Sequence, residues 1–402
     1  MRNVPKLRFK EFTDEWEEKK LSELSNKIGD GIHSTPNYSD NGEYFFINGN
    51  NIKNNKVFIN ETTKKIDEEE YNKYKLSLNN NTILISINGT IGNLGYYNYE
   101  KVILGKSCGY INLKDESNKY FLLNLLKTTK IQSYFFQELT GTTIKNLSLQ
   151  TLKNTIIKLP IFSEQQKIAD FLLNIDKKIS IVEEKLSLFE EYKKGIMQKI
   201  FNQELRFKDE NGNDYPEWNL VTTKEIGKIT MGFTPSTKDE SMWNGEYKWL
   251  SIADLKENGK YIHKTSKTIT EKGTKNKKIL KKGTLIMSFK LTLGRLGIIS
   301  EEMFTNEAIC HFNWNDENSI DTEYVYYYLN SIDISSFGKQ AVKGITLNTE
   351  SLNSIEIELP CIEEQQKIAN FLSSIDAKIE KISNELENLK EFKKGLLQQM
   401  FV

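Results

Sequence analysis

A repeat with an offset of 200 residues constrains the fold more than any other feature of this chain. The hexapeptide Glu-Gln-Gln-Lys-Ile-Ala occupies residues 164–169 and returns unchanged at residues 364–369. An ungapped alignment of residues 159–201 with residues 359–401 gives 21 identities in 43 positions. A repeat of this length indicates that the chain is built from two similar halves.

Each copy of the repeat has the periodicity of one long helix. Apolar residues follow one another in alternating steps of four and three, which is the spacing of a coiled-coil seam. We predict two helices of about 38 residues, about 57 Å long at 1.5 Å per residue. Two unrelated surface helices are the alternative, but the matching phase favours pairing of the two copies. The predicted interface residues are Ile168, Leu172, Ile175, Ile179 and Leu186 in the first helix and Ile368, Leu372, Ile375, Ile379 and Leu386 in the second.

The rest of the chain repeats as well, with larger differences. Leu-Arg-Phe-Lys at residues 7–10 recurs at residues 205–208. Short runs that we predict to be strands follow in both halves, such as Tyr44–Ile47 in the first and Leu296–Ile299 in the second, with Gly and Asn turns between them. We therefore predict an α+β fold with a pseudo-two-fold internal repeat. The predicted boundaries are 1–158 for the first domain, 159–202 for the central helix, 203–358 for the second domain and 359–402 for the C-terminal helix.

Composition narrows the class of protein. Three cysteines without a C-x-x-C pair, and the lack of a leading apolar segment, favour a cytoplasmic chain without disulfides, zinc or a membrane span. Lys+Arg and Asp+Glu both number 55, so the net charge is zero. The distribution is uneven, however. Residues 260–295 hold eleven Lys/Arg and one acid, whereas residues 53–106 hold eight and six.

Motifs for chemistry on nucleotides are missing. Gly105-Lys106-Ser107 would need a glycine at position 100 to be a phosphate loop, and that residue is Glu100. The glycines at 89, 92 and 95 do not have dinucleotide-site spacing, and no Asn-Pro-Pro-Tyr or Asp-Pro-Pro-Tyr stretch is present. We predict neither a catalytic residue nor a metal site in this chain.

Polar loops at equivalent places in the two halves are the candidate DNA-binding sites. Hydroxyl and amide side chains beside Lys or Arg can meet phosphates and base edges. The basic stretch at 260–295 would add a field that attracts phosphates, with a lysine-rich soluble loop as the alternative. The candidates are Ser34, Thr35, Asn88, Thr90, Thr142, Thr143 and Lys145 in the first half and Thr234, Ser236, Thr237, Lys290, Thr292, Arg295, Lys343 and Thr346 in the second.

Taken together, these residues resemble the specificity subunit of type I restriction-modification systems over the whole chain. The resemblance is carried by Leu-Pro-x-x-x-Glu-Gln-Gln-Lys-Ile-Ala at 159–169 and 359–369, and by the long helices that follow. Pro-Glu-Trp at 216–218 and Gly-Phe-Thr-Pro-Ser at 232–236 add to it. The first half departs from the pattern, with Asp14-Glu15-Trp16 at the first of these places.

The resemblance implies two target-recognition domains separated by two long antiparallel coiled-coil helices. Each domain would read one half of a bipartite, asymmetric sequence in double-stranded DNA, and the helices would set the spacer. The chain would not be an enzyme. Its partners would be two modification subunits and, through them, restriction subunits, and S-adenosylmethionine, ATP and Mg would act in those partners.

Two other classes of protein remain as alternatives. One is an enzyme that acts on DNA alone, which the missing motifs disfavour. The other is a coiled-coil scaffold or adaptor without sequence-specific DNA reading, which a salt-dependent gel shift would separate. The bases that are read depend on loop geometry and do not follow from the sequence.

Overall fold

The structure is a computed structural model that describes residues 4–141, 145–290, 292–341 and 344–402, with backbone only for 339–341 and 344–346. The chain divides into two compact units. Unit 1 comprises the residues up to Glu184 together with Asn384–Val402, and unit 2 comprises Lys185–Ser383. In the described part of the chain, no helix combines the length and the apolar character needed to cross a bilayer.

Unit 1 contains short strands and helices in irregular alternation. Its strands are β1 (Glu17–Lys20), β2 (Ser25–Asp30), β3 (Tyr44–Ile47), β4 (Ile52–Lys53), β5 (Lys56–Val57), β6 (Lys65–Ile66), β7 (Thr82–Ser86), β8 (Leu94–Tyr96), β9 (Val102–Leu104), β10 (Cys108–Leu113) and β11 (Ile156–Leu159). Its helices are α1 (Glu68–Tyr74), α2 (Lys119–Leu126), α3 (Thr129–Gln137) and α4 (Leu149–Asn154), and the long helix α5 (Phe162–Phe201) begins here.

The main sheet of unit 1 has the strand order β2–β10–β7–β8. Strands β7 and β10 are buried along their whole length, because a core covers each face of the sheet. Because side chains alternate between faces, Ile83 and Ile111 pack in the core that contains α2, whereas Leu84 and Tyr110 pack in a second core. A smaller sheet, β6–β3–β9, adjoins that second core, and β1 pairs with β11.

Unit 2 repeats this architecture with different strand lengths. Its strands are β12 (Asn219–Thr222), β13 (Gly227–Met231), β14 (Trp243–Leu250), β15 (Tyr261–Ile262), β16 (Lys267–Ile269), β17 (Leu285–Ser288), β18 (Leu296–Ile299), β19 (Phe304–Thr305), β20 (Ile309–Trp314), β21 (Lys339–Ala341), β22 (Gly344–Thr346) and β23 (Glu356–Leu359). Its helices are α6 (Thr223–Ile226), α7 (Ile252–Glu257), α8 (Glu271–Thr274), α9 (Thr322–Ser331) and α10 (Thr349–Asn353), and the long helix α11 (Ile362–Met400) begins here.

The sheets of unit 2 correspond to those of unit 1. The main sheet has the order β13–β20–β17–β18–β15, the smaller sheet the order β16–β14–β19, and β12 pairs with β23. One face of the main sheet packs against α9 through Leu285 and Phe312, and the other buries Ile286 and Ile309 beneath α7. The predicted α+β class and the internal repeat are therefore confirmed.

Both long helices form where the sequence predicts them. A Leu-Pro pair ends the preceding strand in each half, and α5 and α11 then run for 40 and 39 residues. Glutamates in their first turns, Glu164 and Glu364, favour these helix starts because they complement the positive N-terminal dipole. Each helix begins in one unit and ends in the other.

Several strands were predicted closely and others were missed. The predictions for Tyr44–Ile47 and Leu296–Ile299 match β3 and β18. Strands β2, β13 and β20 were not predicted, although all of them belong to the main sheets. Strand β2 reads Ser-Asn-Lys-Ile-Gly-Asp, so its only large apolar residue is Ile28, and no local alternation marks it as a strand.

Candidate nucleic-acid interface

In unit 1, the candidate loops converge at one end of the main sheet. The register pairs Gly109 with Asp30 and Cys108 with Ser86, so β2 and β7 end side by side where β10 begins. The loop with Ser34 and Thr35 and the turn with Asn88 and Thr90 therefore leave the sheet at the same end. Ser34, Thr35 and Thr90 are exposed there, and Asn88 is half-buried.

The third candidate segment of unit 1 joins the same end. Asn146 forms a bridge with Asn88, and the Leu147 amide donates to the Ile87 carbonyl at 2.9 Å. The preceding residue, Lys145, is exposed. Thr142 and Thr143 lie outside the described residues. A cation is thus placed beside hydroxyl and amide groups, which is a suitable combination for DNA.

A serine at the end of a strand fixes the turn that carries Thr90. The Ser86 hydroxyl donates to the Thr90 carbonyl and accepts from the Asn93 amide, and Gly92 takes a φ of 86° that favours glycine. The turn is closed by its own backbone and by Ser86, so the Thr90 side chain projects from a fixed position.

Unit 2 contains the same turn after β17. The Ser288 hydroxyl donates to the Thr292 carbonyl and accepts from the Arg295 amide at 3.1 Å, and Gly294 has a φ of 73°. Lys290, at the turn, is exposed, and Thr292 and Arg295 are half-buried. The two halves therefore present different side chains, Asn88 in one and Lys290 in the other, beside a turn that a serine hydroxyl closes in both.

The loop after β13 lies at the same end of the unit 2 sheet. Met231 pairs with Cys310, and Ser288 pairs with Ile309, so the loop and the turn after β17 are neighbours. Ser236 and Thr237 are exposed.

Thr234 in this loop is half-buried and already engaged. Its hydroxyl accepts from Asn306 Nδ2 at 3.1 Å and donates to the Glu307 carboxylate. Thr234 therefore holds the loop in place, and Ser236 and Thr237 are freer to meet a ligand. Lys343 lies outside the described residues, and the side chain of Thr346 does as well.

One residue of the basic stretch at 260–295 lies in the core and not at the surface. Lys260 is largely buried, pairs with Glu323 at 2.7 Å and donates to Tyr327 and Ser373. Burial favours a raised pKa for Glu323, but hydrogen bonds from Lys260, Ser373 and Tyr261 lower it below the ordinary value. Lys260 is therefore part of the core of unit 2, and the expectation of one continuous basic field is wrong for it.

A glutamate of the repeated hexapeptide connects the start of each long helix to the Leu-Arg-Phe-Lys motif at the beginning of the same half. This contact was not predicted from the sequence. Glu164 is fully buried and accepts two hydrogen bonds from Arg8, both at 2.7 Å. In the second half, Glu364 accepts from Arg206 at 3.2 and 2.8 Å and from the indole of Trp218 at 2.9 Å. The sequence did contain a signal for this contact, because the Leu-Arg-Phe-Lys motif and the hexapeptide carry the same charged residues in both halves.

The first glutamine of each hexapeptide joins the long helix to the domain helix. Gln165 donates to the Pro160 carbonyl at 2.9 Å and accepts from the Asn118 amide at 3.1 Å, just before α2. Gln365 makes the equivalent bonds to Pro360 and to Asp321, just before α9. The identical residues of the two hexapeptides therefore serve structure rather than chemistry.

The predicted seam is buried within each unit. Ile168, Leu172 and Ile175 pack in the unit 1 core together with Leu396 and Met400 from the end of α11. Unit 2 has the equivalent arrangement: Ile368, Leu372, Ile375 and Ile379 pack with Ile196 and Ile200. Of the remaining predicted residues, Ile179 and Leu386 are buried in unit 1, and Leu186 is half-buried in unit 2.

One position of the seam is not apolar, and a lysine occupies it in both helices: Lys193 in α5 and Lys393 in α11. Each lysine forms an ion pair. Lys393 binds Asp176 at 2.5 Å in unit 1, and Lys193 binds Asp376 at 2.6 Å in unit 2. These pairs are equivalent under the 200-residue repeat. In unit 1, Lys390 also pairs with Glu183 at 2.6 Å. The residue number rises from Asp176 to Glu183 along α5 while it falls from Lys393 to Lys390 along α11. The two helix segments of unit 1 are therefore antiparallel.

Comparison with protein families agrees with this arrangement. The model described as the type I restriction modification DNA specificity domain matches residues 13–191 and again residues 215–391. The chain belongs to this family. It is a type I DNA specificity subunit with two specificity domains, and specificity subunits are the non-catalytic, DNA-recognising members of these systems.

Individual specificity subunits resemble the chain over most of its length. The predicted specificity subunit of the type I restriction enzyme MjaX from Methanocaldococcus jannaschii is 28% identical over 98% of this chain and 95% of its own. That of MjaVIII from the same organism is 26% identical over 80% of this chain and 79% of its own. The fold is similar to the type I S subunit from M. genitalium, with a TM-score of 0.61 at 17% identity over 99% of both chains.

Proposed function

We propose that this specificity subunit reads a bipartite, asymmetric target in double-stranded DNA, with one half-site for each unit. The observation that carries the proposal is that two domains of one topology present different side chains at the same end of their main sheets. Asn88 stands where Lys290 stands in the other half, whereas the threonine two residues later is common to both. Equal backbones with unequal side chains suit two related but different half-sites.

We further propose that the helices α5 and α11 set the gap between the half-sites. Each helix begins in one unit and ends in the other, and its seam is buried in both. A paired helix is stiff over this length, so it can act as a spacer. Adding residues to the helices should therefore change the gap and leave the bases unchanged.

The chemistry would belong to partner subunits. Family membership supports two modification subunits, which would transfer methyl groups from S-adenosylmethionine, and restriction subunits that join through them and use ATP and Mg. The two matched domains support the number of modification subunits, one for each domain.

The boundaries 1–158, 159–202, 203–358 and 359–402 remain our proposed division of the chain.

Methyl transfer tests the proposed function directly. The purified chain, the modification subunit encoded with it, and their mixture are each incubated with duplex DNA and labelled S-adenosylmethionine. We expect label in DNA from the mixture alone, and binding of duplex by the chain that weakens with salt. Label from the single chain, or methylation whose sequence does not depend on this chain, would contradict the proposal.

A further inference from the structure

A groove of about 810 Å³ lies on one face of the main sheet of unit 2. Its floor is formed by Thr230 of β13 and by His311 and Asn313 of β20, and one wall is the segment 277–284 that precedes β17. The imidazole of His311 is held between the hydroxyls of Thr230 at 3.1 Å and Thr305 at 2.6 Å. Burial lowers the pKa of His311 to about 4, so the floor is uncharged at neutral pH.

The charge of the groove comes from lysines. The lining includes five exposed lysines, and within the described residues none of their ammonium groups has an ion-pair partner. One acid, Glu317, also lines the groove, so the net charge of the lining is 5 − 1 = +4. The lysines are Lys228, Lys277, Lys278, Lys281 and Lys282.

The corresponding wall of unit 1 carries little of this charge. At an offset of 202 residues, Lys277, Lys278, Lys281 and Lys282 align with one lysine, one leucine and two asparagines at 75, 76, 79 and 80. Leu76 packs against the second core of unit 1. The side-chain and backbone oxygens of Asn80 both accept from Lys119. The basic wall is therefore specific to the second domain and is not part of the architecture that the two domains share.

We propose that this groove binds the sugar–phosphate backbone of the half-site that unit 2 reads. The inference rests on the proposed function and adds a binding surface to it. Gly232 and Phe233 line the groove and open the loop that carries Ser236 and Thr237, so the groove is continuous with the candidate recognition loop.

The chemistry of the groove fits a repeated phosphate charge better than a free nucleotide. Four of its five cations lie on the segment 277–284, and all five are separate ammonium groups, which meet phosphates as point charges. The amide of Asn313, which could read a base, already donates to the Lys228 carbonyl and the Thr230 hydroxyl. The second domain should then hold its half-site with more ion pairs than the first.

The test replaces three lysines by the residues of the first half. The variant K278L/K281N/K282N is compared with wild type and with K224N/K256N/K381N, which removes three exposed lysines of unit 2 outside the groove and outside the basic stretch. The full chain is titrated over a series of salt concentrations with a duplex that carries the target found by methylation mapping. A second duplex ends after the first half-site.

Removing one ion pair between a lysine and a DNA phosphate lowers the slope of log K against log salt by about 0.9. We expect the slope of the groove variant on the complete duplex to fall by about two to three units. The control should keep the wild-type slope, and all three proteins should behave alike on the shortened duplex.

Three results would overturn the inference. An unchanged slope for a folded groove variant would do so while leaving the proposed function intact, and so would an equal fall in slope on both duplexes. Wild-type protein that binds neither duplex would overturn both the inference and the proposed function.

Discussion

At the scale of single residues, two buried carboxylates organise the chain. Glu164 and Glu364 have no exposed surface, and each is neutralised by an arginine more than 150 residues away in sequence. The hydrogen bond to Glu164 raises the pKa of Arg8, as the matching bond to Glu364 does for Arg206. These pairs attach the first residues of each half to the first turn of its long helix.

Removing the charge of Glu364 should destabilise unit 2 more than the same change at Glu164 destabilises unit 1. In E364Q the Arg206 guanidinium loses its buried counter-charge, at a cost of about 3 kcal/mol. E164Q should cost less, because only Glu364 also accepts from a tryptophan indole. Urea unfolding followed by circular dichroism measures both.

The control is an ion pair at the surface. Glu11 pairs with Lys167 while both side chains remain nearly half exposed, so E11Q should leave the unfolding midpoint unchanged. E364Q as stable as wild type would show that the buried pair does not hold the helix start.

The repeat identifies the Leu-Arg-Phe-Lys motif and the hexapeptide, but it does not predict that the two contact each other. Repetition shows which residues matter, but residues as far apart as Arg8 and Glu164 meet only through the tertiary fold. The same limit applies to Lys260, whose place in a basic run suggested a surface and whose partner, Glu323, lies 63 residues later. Burial is decided by such distant partners, so local charge density could not predict it.

At the scale of elements, the long helices were predictable and some strands were not. A seam spacing of four and three is a local property that 40 residues repeat many times. Strands β2 and β20 depend instead on pairing with β10, β13 and β17 across long separations. Their short, mixed sequences carry too few periods to identify a strand.

The ion pairs in the seam should specify how the helices pair. D176K places two lysines together in the unit 1 seam and should weaken packing of the end of α11. The double variant D176K/K393D restores opposite charges and should recover most of the stability. Hydrogen exchange of residues 384–400 measures the effect. Equal protection in the single and double variants would contradict a role in pairing.

At the scale of the whole molecule, each unit is completed by residues from the other half of the sequence. The end of α11 contributes Leu396, Met400 and Phe401 to the core of unit 1, where Phe401 contacts Trp16 and Phe121. The end of α5 contributes Ile200 and Phe201 to unit 2 in the same way.

A fragment of residues 1–204 should therefore dimerise. It keeps Ile196, Ile200 and Phe201, which the repeat aligns with the missing Leu396, Met400 and Phe401. One copy can complete the core of the other through the end of its α5. Sedimentation equilibrium should give a dimer for the fragment and a monomer for its variant I200K/F201K. A monomeric fragment would show that the two helix ends are not interchangeable.

The most direct test of the central claim lengthens both helices and maps the methylated sequence. Four residues are inserted after Glu184 and four after Asn384, at positions that the repeat makes equivalent. One added turn lengthens each helix by about 6 Å and shifts the seam by a tolerated stutter. Wild type and variant are each expressed with the modification subunit, and methylated genomic sites are compared. We predict the same two half-sites, separated by one or two more base pairs at about 3.4 Å per step. Altered half-site bases with an unchanged gap would contradict the account.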